Sequence, residues 1–401
     1  MNFNFSGKKA LVRVDFNVPI DKKTLQITDD TRIRAALPTI NKILRDGGSV
    51  ILMSHFDRPL EKLREDGSID VARFTLQNLQ SHLSDLLKRP VIFISDCLSD
   101  AAAQAAHNLK AGEVLLLENT RFYAGEEKGD LEMAKKLASY GDVYVNDAFG
   151  SAHRAHASTA TVAQFFPREK RMFGYLMEAE VLNGQKVLDN PKKPFTAIIG
   201  GAKVSDKILI IKHLISRVDN LIIGGGMAYT FFKALGGSIG KSLCEEDRLD
   251  EARTIVAQAM KNGVRLLLPF DSVVADAFKA DANTAILESD AINAEGMALD
   301  IGPKAADFAH TILLQSKTIL WNGPMGVFEM EAFANGTKKV ALAVVEATTH
   351  GAYSLVGGGD SVAALNSLNL EHAVSYVSTG GGAMLEFLEG KTLPGIAAIE
   401  Q

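Results

Sequence analysis

Three arginines each stand a few residues past a short apolar run. Arg58 lies in SHFDRP after VILM, Arg121 in ENTRF after VLLL, and Arg154 in SAHRAHAS after VYV. A guanidinium offers a planar fork of donors that suits carboxylate and phosphate oxygens. If the runs are parallel strands, the loops after them converge at one sheet edge. The pattern therefore predicts a basic pocket for a polyanion. In VRVDFNVP, alternation puts Arg13, Asp15 and Asn17 on one face and Val12, Val14 and Phe16 on the other. Polar groups there are costly to bury unpaired, unless this is an edge strand with a solvated face. His55 precedes Arg58, and Arg32 lies near a helix start for which Asp30 or Thr31 would be the N-cap. His153 and His156 flank Arg154, but no HExxH pattern or nearby cysteine marks a metal site.

The second half carries a different chemistry. Gly200 and Gly201 follow FTAII, Gly224 to Gly226 follow NLII, and Gly357 to Gly359 with Asp360 and Ser361 follow YSLV. Glycine permits tight turns and close backbone approach, and a helix N-terminus behind such a turn attracts anions. Lys203 and Lys207 are four apart and are expected on one face of such a helix. Three glycine clusters after three strands predict one nucleotide site, including Gly201 and Gly225. Asp360 is a natural ligand for Mg²⁺, which takes few carboxylates together with phosphate oxygens. Two motifs mislead. GGSIGKS resembles a Walker A loop, but Leu235 stands where its first glycine should be. GGGMAY lacks the last glycine of a dinucleotide fingerprint, which disfavours a Rossmann dehydrogenase.

The elements that must position these residues are strands alternating with helical stretches. Strand candidates are KALVRVDF, SVILMSH, PVIFIS, EVLLLEN and DVYVND, then FTAIIGG, NLIIGGG, RLLLPFD, TILWNG, YSLVGGG and VSYVST. Their continuous apolar runs suit parallel sheets buried on both faces. Helical stretches such as LEMAKKLASYG and EARTIVAQAMKNG end in Gly, a common stop. The segment RMFGYLMEAEVLNGQKVLDN reads as a helix stopped by PKKP. The fold class is α/β: two doubly wound, Rossmann-like parallel-sheet domains joined by a helix, with an interdomain cleft. The chain of 401 residues is long enough for two domains. Most arginines lie before residue 178 and most of the 34 glycines after it. The net charge of -5 argues against nucleic-acid or membrane-surface partners. Cys97 and Cys244 read as two reduced core thiols. No secretory signal pattern and no run of about 18 apolar residues is present, so a cytoplasmic location is expected.

In series, RVDFNVP, SHFDRP, ENTRF, DAFGSAHRAHAS, GGAKVSDK, GGGMAYTF, TILWNGPMGVFE, GGGDS and YVSTGGGA resemble the phosphoglycerate kinase family over essentially the whole chain. The resemblance implies the glycolytic transfer of the acyl phosphate of 1,3-bisphosphoglycerate to Mg-ADP, giving 3-phosphoglycerate and ATP. It implies triose binding by Asp15, Asn17, Arg32, His55, Arg58, Arg121 and Arg154. It implies nucleotide binding by Gly201, Lys203, Lys207, Gly225, Asn322, Glu329, Gly358, Gly359, Asp360 and Ser361, with Asp360 at the metal. Arg32 and Lys207 would act on the transferring group. It also implies a monomer with a hinge. Residues 1–177 would bind triose, 178–190 connect, 191–385 bind nucleotide, and 386–401 pack back on the first domain. One position departs: the family usually reads HLGRP, and Asp57 stands here in place of the glycine. Its side chain is expected in solvent or paired with an arginine. The rival reading is a nucleotide-binding protein of this fold without catalysis.

Overall fold

The computed structural model describes residues 1–401. They divide into unit 1, Met1–Val181 with Thr392–Gln401, and unit 2, Leu182–Lys391. In unit 1, six parallel strands form one sheet: β1 Lys9–Val14, β2 Ser49–Met53, β3 Val91–Ile94, β4 Val114–Leu117, β5 Val143–Asp147 and β6 Arg171–Phe173. Their order is β3-β4-β2-β1-β5-β6, so β1 is central and not the solvated edge strand that the alternative reading required. Alternation along β1 sends Ala10, Val12 and Val14 into one apolar core and Leu11 into another on the opposite face. Doubly wound connections bury both faces, which is why the strands read as uninterrupted aliphatic runs.

Unit 2 repeats the plan. Its parallel sheet comprises β7 Phe195–Ile199, β8 Asn220–Ile223, β10 Arg265–Leu267, β15 Thr318–Asn322, β16 Tyr353–Gly357 and β17 Tyr376–Val377. The order is β10-β8-β7-β15-β16-β17. A two-stranded ribbon pairs β9 Ser238–Ile239 with β13 Ala291–Ile292. A small antiparallel sheet adds β11 Asp271–Ala275, β12 Thr284–Glu288 and β14 Met297–Ile301. Sequence reading finds none of these additions, because the ribbon strands are only two residues long and β12 is largely exposed.

Several local expectations need correction. The segment from Arg171 does not begin as a helix: Arg171–Phe173 is β6, and the helix is Tyr175–Leu188. Gly174 separates them. A Cβ there would meet the Asp147 carboxylate at 2.2 Å, and Asp147 Oδ1 accepts from the Met177 amide at 3.2 Å inside the first helical turn. The division between units falls within this helix, between Val181 and Leu182, and unit 1 takes in Thr392–Gln401 as well. Gly263 does cap its helix at φ 69, but the helix expected to stop at Gly141 ends at Ala138. Cys97 is buried, whereas Cys244 is only partly so. The bond at the start of helix Thr31–Arg45 comes from Asp29, whose Oδ1 accepts from the Thr31 amide at 2.9 Å; Asp30 instead pairs with Arg34 and His82.

Candidate active site

In unit 1 the four adjacent strands β4, β2, β1 and β5 deliver the basic groups to the carboxyl edge of the sheet. Arg13, on β1, is fully buried. Its Nε donates to Ser158 Oγ at 2.8 Å, and one terminal nitrogen lies 3.1 Å from His55 Nδ1. His55 follows β2 and is buried. Burial, then the charges of Arg13, Arg121, Arg154 and Arg32, hold its pKa well below the usual histidine value. His156, past β5, is pushed down to about 3 by burial first and then by Arg121, Arg13 and Arg154. Both imidazoles are therefore neutral beside a set of guanidinium groups.

Arg121 follows β4 on a turn pinned by Asn119. The Asn119 amide donates to the Phe56 and Phe74 carbonyls at 2.7 and 3.0 Å, and its oxygen accepts from the Phe56 and Arg121 amides. Arg121 is 4% exposed, donates one Nη1 bond to the Asp57 carbonyl at 2.7 Å, and keeps a buried Nη2 without a partner. Burial and the neighbouring Arg154 lower its pKa to about 10, so it remains charged. Its Nε faces Glu127 at 3.2 Å, but Nη2 is a buried donor with no acceptor, which is costly unless an anion meets it. Arg32 donates to the Asn17 carbonyl at 2.8 Å and pairs with Asp15 at 3.4 Å. Asn17 Oδ1 accepts from the Asp57 amide at 2.8 Å. Arg154 donates to His153 at 3.2 Å. Arg58 is not drawn into this cluster. Its side chain is about half exposed and pairs with Glu61 at 3.2 Å. Asp57 pairs with a lysine and not an arginine: Lys62 Nζ lies 2.6 and 2.8 Å from its two oxygens.

In unit 2, β8, β7, β15 and β16 lie side by side, and their glycine turns adjoin. Gly201 donates to the Pro324 carbonyl at 3.1 Å, Gly225 to that of Met325 at 3.0 Å. A Cβ at Gly225, where φ is +69, would strike the Gly201 carbonyl at 2.4 Å, so this glycine serves loop-to-loop approach. Gly359 differs: nothing lies within 4 Å of its Cβ position, and it opens the helix Gly359–Ser367 with no side-chain cap. Its amides are thus available to an anion. Ser361 Oγ is buried and accepts from the Gly323 amide at 2.6 Å. Gly358, at φ +91, sits against the Asn322 amide, which donates to the Gly357 carbonyl at 3.0 Å.

Lys203 and Lys207 do not share a helix. The helix is only Ile208–Leu214, with Lys207 at its N-cap, because Glu245 holds Ser205 by amide and hydroxyl at 3.0 and 2.6 Å in a turned loop. Lys203 is exposed. Lys207 is partly buried and donates to Asn322 Oδ1 at 2.5 Å; burial lowers its pKa against the pull of Asp206, Asp360 and Glu389. A cavity of about 490 Å³ opens beside the turns. Gly201, Gly225, Glu329 and Asp360 line it, together with Tyr229, Lys241, Leu243, Phe278, Leu299 and Asp300. One polar end and one apolar wall suit a ligand with phosphates and a flat, poorly solvated base.

A profile of the phosphoglycerate kinase family matches residues 1–391. The chain belongs to the phosphoglycerate kinase family. It is a kinase, that is, a phosphotransferase. Among its relatives, the phosphoglycerate kinase of Porphyromonas gingivalis is 53% identical over 421 residues, covering 99% of each chain. That of Herpetosiphon aurantiacus is 53% identical over 98% of this chain and 97% of its own. The solved phosphoglycerate kinase of Coxiella burnetii superposes with a TM-score of 0.89 at 43% identity, covering 99% of this chain and 97% of its own. That of Pyrococcus horikoshii reaches 0.81 at 30%, covering 100% and 97%.

Within this phosphoglycerate kinase family fold, sequence reasoning missed two sets of groups. Arg13 was visible on the polar face of β1, but its partner Ser158, and Glu126 behind that serine, carry no local signal. The apolar wall of the unit 2 cavity comes from Leu243, Phe278 and Leu299, which no motif links.

Proposed function

We propose that this chain catalyses reversible transfer of the acyl phosphate of 1,3-bisphosphoglycerate to ADP, with the triose on unit 1 and the nucleotide on unit 2. The observation that carries the reading is the buried, partnerless Nη2 of Arg121 within a cluster of guanidinium groups and neutral imidazoles. Such a cluster matches a ligand with a carboxylate and a phosphate.

In the ATP-consuming direction the nucleophile is the carboxylate of 3-phosphoglycerate, already ionised with a pKa near ~4. No general base is needed, and the residues work by alignment and charge stabilisation. Arg121, Arg154 and His55 orient the triose anions, Asp15 and Asn17 take hydroxyl groups, and Arg58 joins them only by leaving Glu61. Gly358 to Ser361 receive nucleotide phosphates, with Lys203, Asn322 and Glu329 at the same site. No group of three or more His, Cys, Asp or Glu side chains that could hold a metal occurs. Asp360 alone, at the cavity, fits Mg²⁺, whose other ligands would be phosphate oxygens and water. Bound there, the ion would supply charge neutralisation to the nucleotide phosphates. Arg32 and Lys207 stabilise the transferring phosphoryl group. They lie in different units, so the reaction calls for a hinge motion that also excludes water. A monomeric, cytoplasmic enzyme accords with this scheme.

The test is a coupled assay for ATP formation from ADP and 1,3-bisphosphoglycerate; folded protein without turnover would favour a binding protein of the same fold. Lys207→Ala is expected to lower kcat by roughly 10²-fold or more while moving KM far less. Nearly unchanged kcat would remove Lys207 from the transferring group.

A further inference from the structure

A fully buried polar network in unit 1 adjoins the proposed triose groups. Glu126 is fully buried. Its Oε1 accepts from Ser158 Oγ at 2.5 Å and from Thr120 Oγ1 at 3.1 Å, and its Oε2 accepts from the Ser158 amide at 3.0 Å. A serine hydroxyl has one proton, and this one is committed to Glu126. Ser158 Oγ therefore turns a lone pair to Arg13 Nε, 2.8 Å away. A second nitrogen of Arg13 is held by the Val14 carbonyl. With two corners fixed, the guanidinium cannot turn, and its third corner faces His55 Nδ1 at 3.1 Å.

We propose that Glu126, Ser158 and Arg13 form a buried relay that fixes His55 as the Nε2–H tautomer, so that His55 meets the triose as a neutral hydrogen-bond donor and not as a cation. The clause about the triose rests on the proposed function above. A guanidinium carries donors only, so Nδ1 must accept and the ring's single proton sits on Nε2. Protonating Nδ1 would set two N–H groups against each other. The charged groups facing His55 are Arg13 from β1, Arg121 from the turn after β4, Arg154 from the loop after β5, and Arg32 from the helix Thr31–Arg45. All four are cations, so no neighbour favours a second proton. A free imidazole samples both tautomers. One locked in advance presents a donor to a substrate oxygen without reorganising. Arg13, Ser158 and Glu126 are thus positioning residues that need not touch substrate.

Long-range ¹H–¹⁵N spectra of histidine-labelled, full-length protein test this. His55 is expected to show an unprotonated Nδ1 and a protonated Nε2, unmoved from pH 6 to pH 8.5. Ser158→Ala, which frees the Arg13 Nε corner, is expected to give averaged ring ¹⁵N shifts. Arg13→Gln, whose amide can either donate to or accept from Nδ1, is also expected to give averaged ring ¹⁵N shifts, with the ring still neutral because burial and Arg121, Arg154 and Arg32 remain. In both variants KM for 3-phosphoglycerate should rise at least threefold, with kcat at saturation changed less than twofold. If Arg13→Gln does not fold, Ser158→Ala and the wild-type spectra still decide. A wild-type His55 that is Nδ1–H, or that titrates between pH 6 and 8.5, overturns the relay, as does a Ser158→Ala spectrum identical to wild type. Spectra as expected with KM unmoved would leave the tautomer but strike His55 from the triose site.

Discussion

Asp57 stands where the family resemblance leads one to expect glycine, and its backbone explains the preference: φ is +51. Aspartate tolerates this left-handed region better than most residues. Its amide and carbonyl serve Asn17 and Arg121, contacts that any residue could make. Its carboxylate is the individual feature. Burial pushes its pKa up, but the Lys62 hydrogen bond and charge outweigh that and hold it below the ordinary aspartate value. The negative charge is thus neutralised locally before it reaches a substrate. Asp57→Gly should change KM for 3-phosphoglycerate by no more than about twofold. The lost half-exposed ion pair is worth roughly 0.2–1 kcal/mol, and relief of the left-handed backbone returns roughly the same, so Tm should hardly move. A fivefold drop in KM on substitution would mean that Asp57 repels the triose after all.

At the scale of elements, the segment after Thr392 is a strut for the Arg154 loop. The Gly395 amide donates to the Ala152 carbonyl at 2.8 Å, and the Asn146 side chain donates to the Gly395 carbonyl at 3.2 Å. Leu393, Ile396 and Ile399 are buried in unit 1. Burying each such side chain contributes about 1.5–3 kcal/mol. Deletion from Thr392 onward should therefore cost unit 1 several kcal/mol in urea unfolding followed by circular dichroism. It should also raise KM for 3-phosphoglycerate, because Ala152 anchors the stretch bearing His153 and Arg154. Equal stability with and without the segment would show that its packing contributes nothing in solution.

At the scale of the molecule, the two units respond to acid with opposite sign. In unit 1, His55 and His156 have folded pKa values far below the unfolded one of about 6.5. Their stabilisation is complete above pH ~6.5 and is lost as pH falls toward the folded values, at about 1.4 kcal/mol per pH unit per group. Asp147, raised to about 6 by burial, opposes them as one group against two. In unit 2, burial raises Asp300 to about 7. A raised carboxylate stabilises most at low pH and loses that contribution as pH rises through its folded value. In unit 2 His213, lowered by burial, works against Asp300, but Asp300 carries the larger shift; acidification from pH 6.5 to 5 should therefore weaken unit 1 while favouring unit 2. The single tryptophan, Trp321, is fully buried in unit 2 and reports on that unit alone. From pH 8 to pH 5 the urea midpoint by tryptophan fluorescence should rise relative to that by circular dichroism. A difference between the two midpoints that does not change with pH would sink the argument.

All eleven apolar runs singled out in the sequence are strands, because a parallel sheet covered on both faces demands uninterrupted aliphatic residues and little else produces them. The loops after those strands follow, so the positions of Arg121, His55, the glycine turns and Asp360 were legible as strand-end residues. The rest depended on contacts distant in sequence. Lys203 and Lys207 satisfy helical spacing, yet Glu245, some 40 residues away, holds Ser205 in a turn. Arg58 looks like its fellow arginines, but Glu61 takes its guanidinium. The small sheet of β11, β12 and β14 has a half-solvated pattern too weak to read. The sequence by itself determined the fold class, the family and the strand ends at which chemistry sits, because local periodicity and turn chemistry encode them. Only the tertiary structure decided which charges are neutralised, which donors lie buried without partners, and that Glu126 and Ser158 reach His55 through Arg13. Those outcomes depend on burial and on partners across the fold, which no spacing along the chain records.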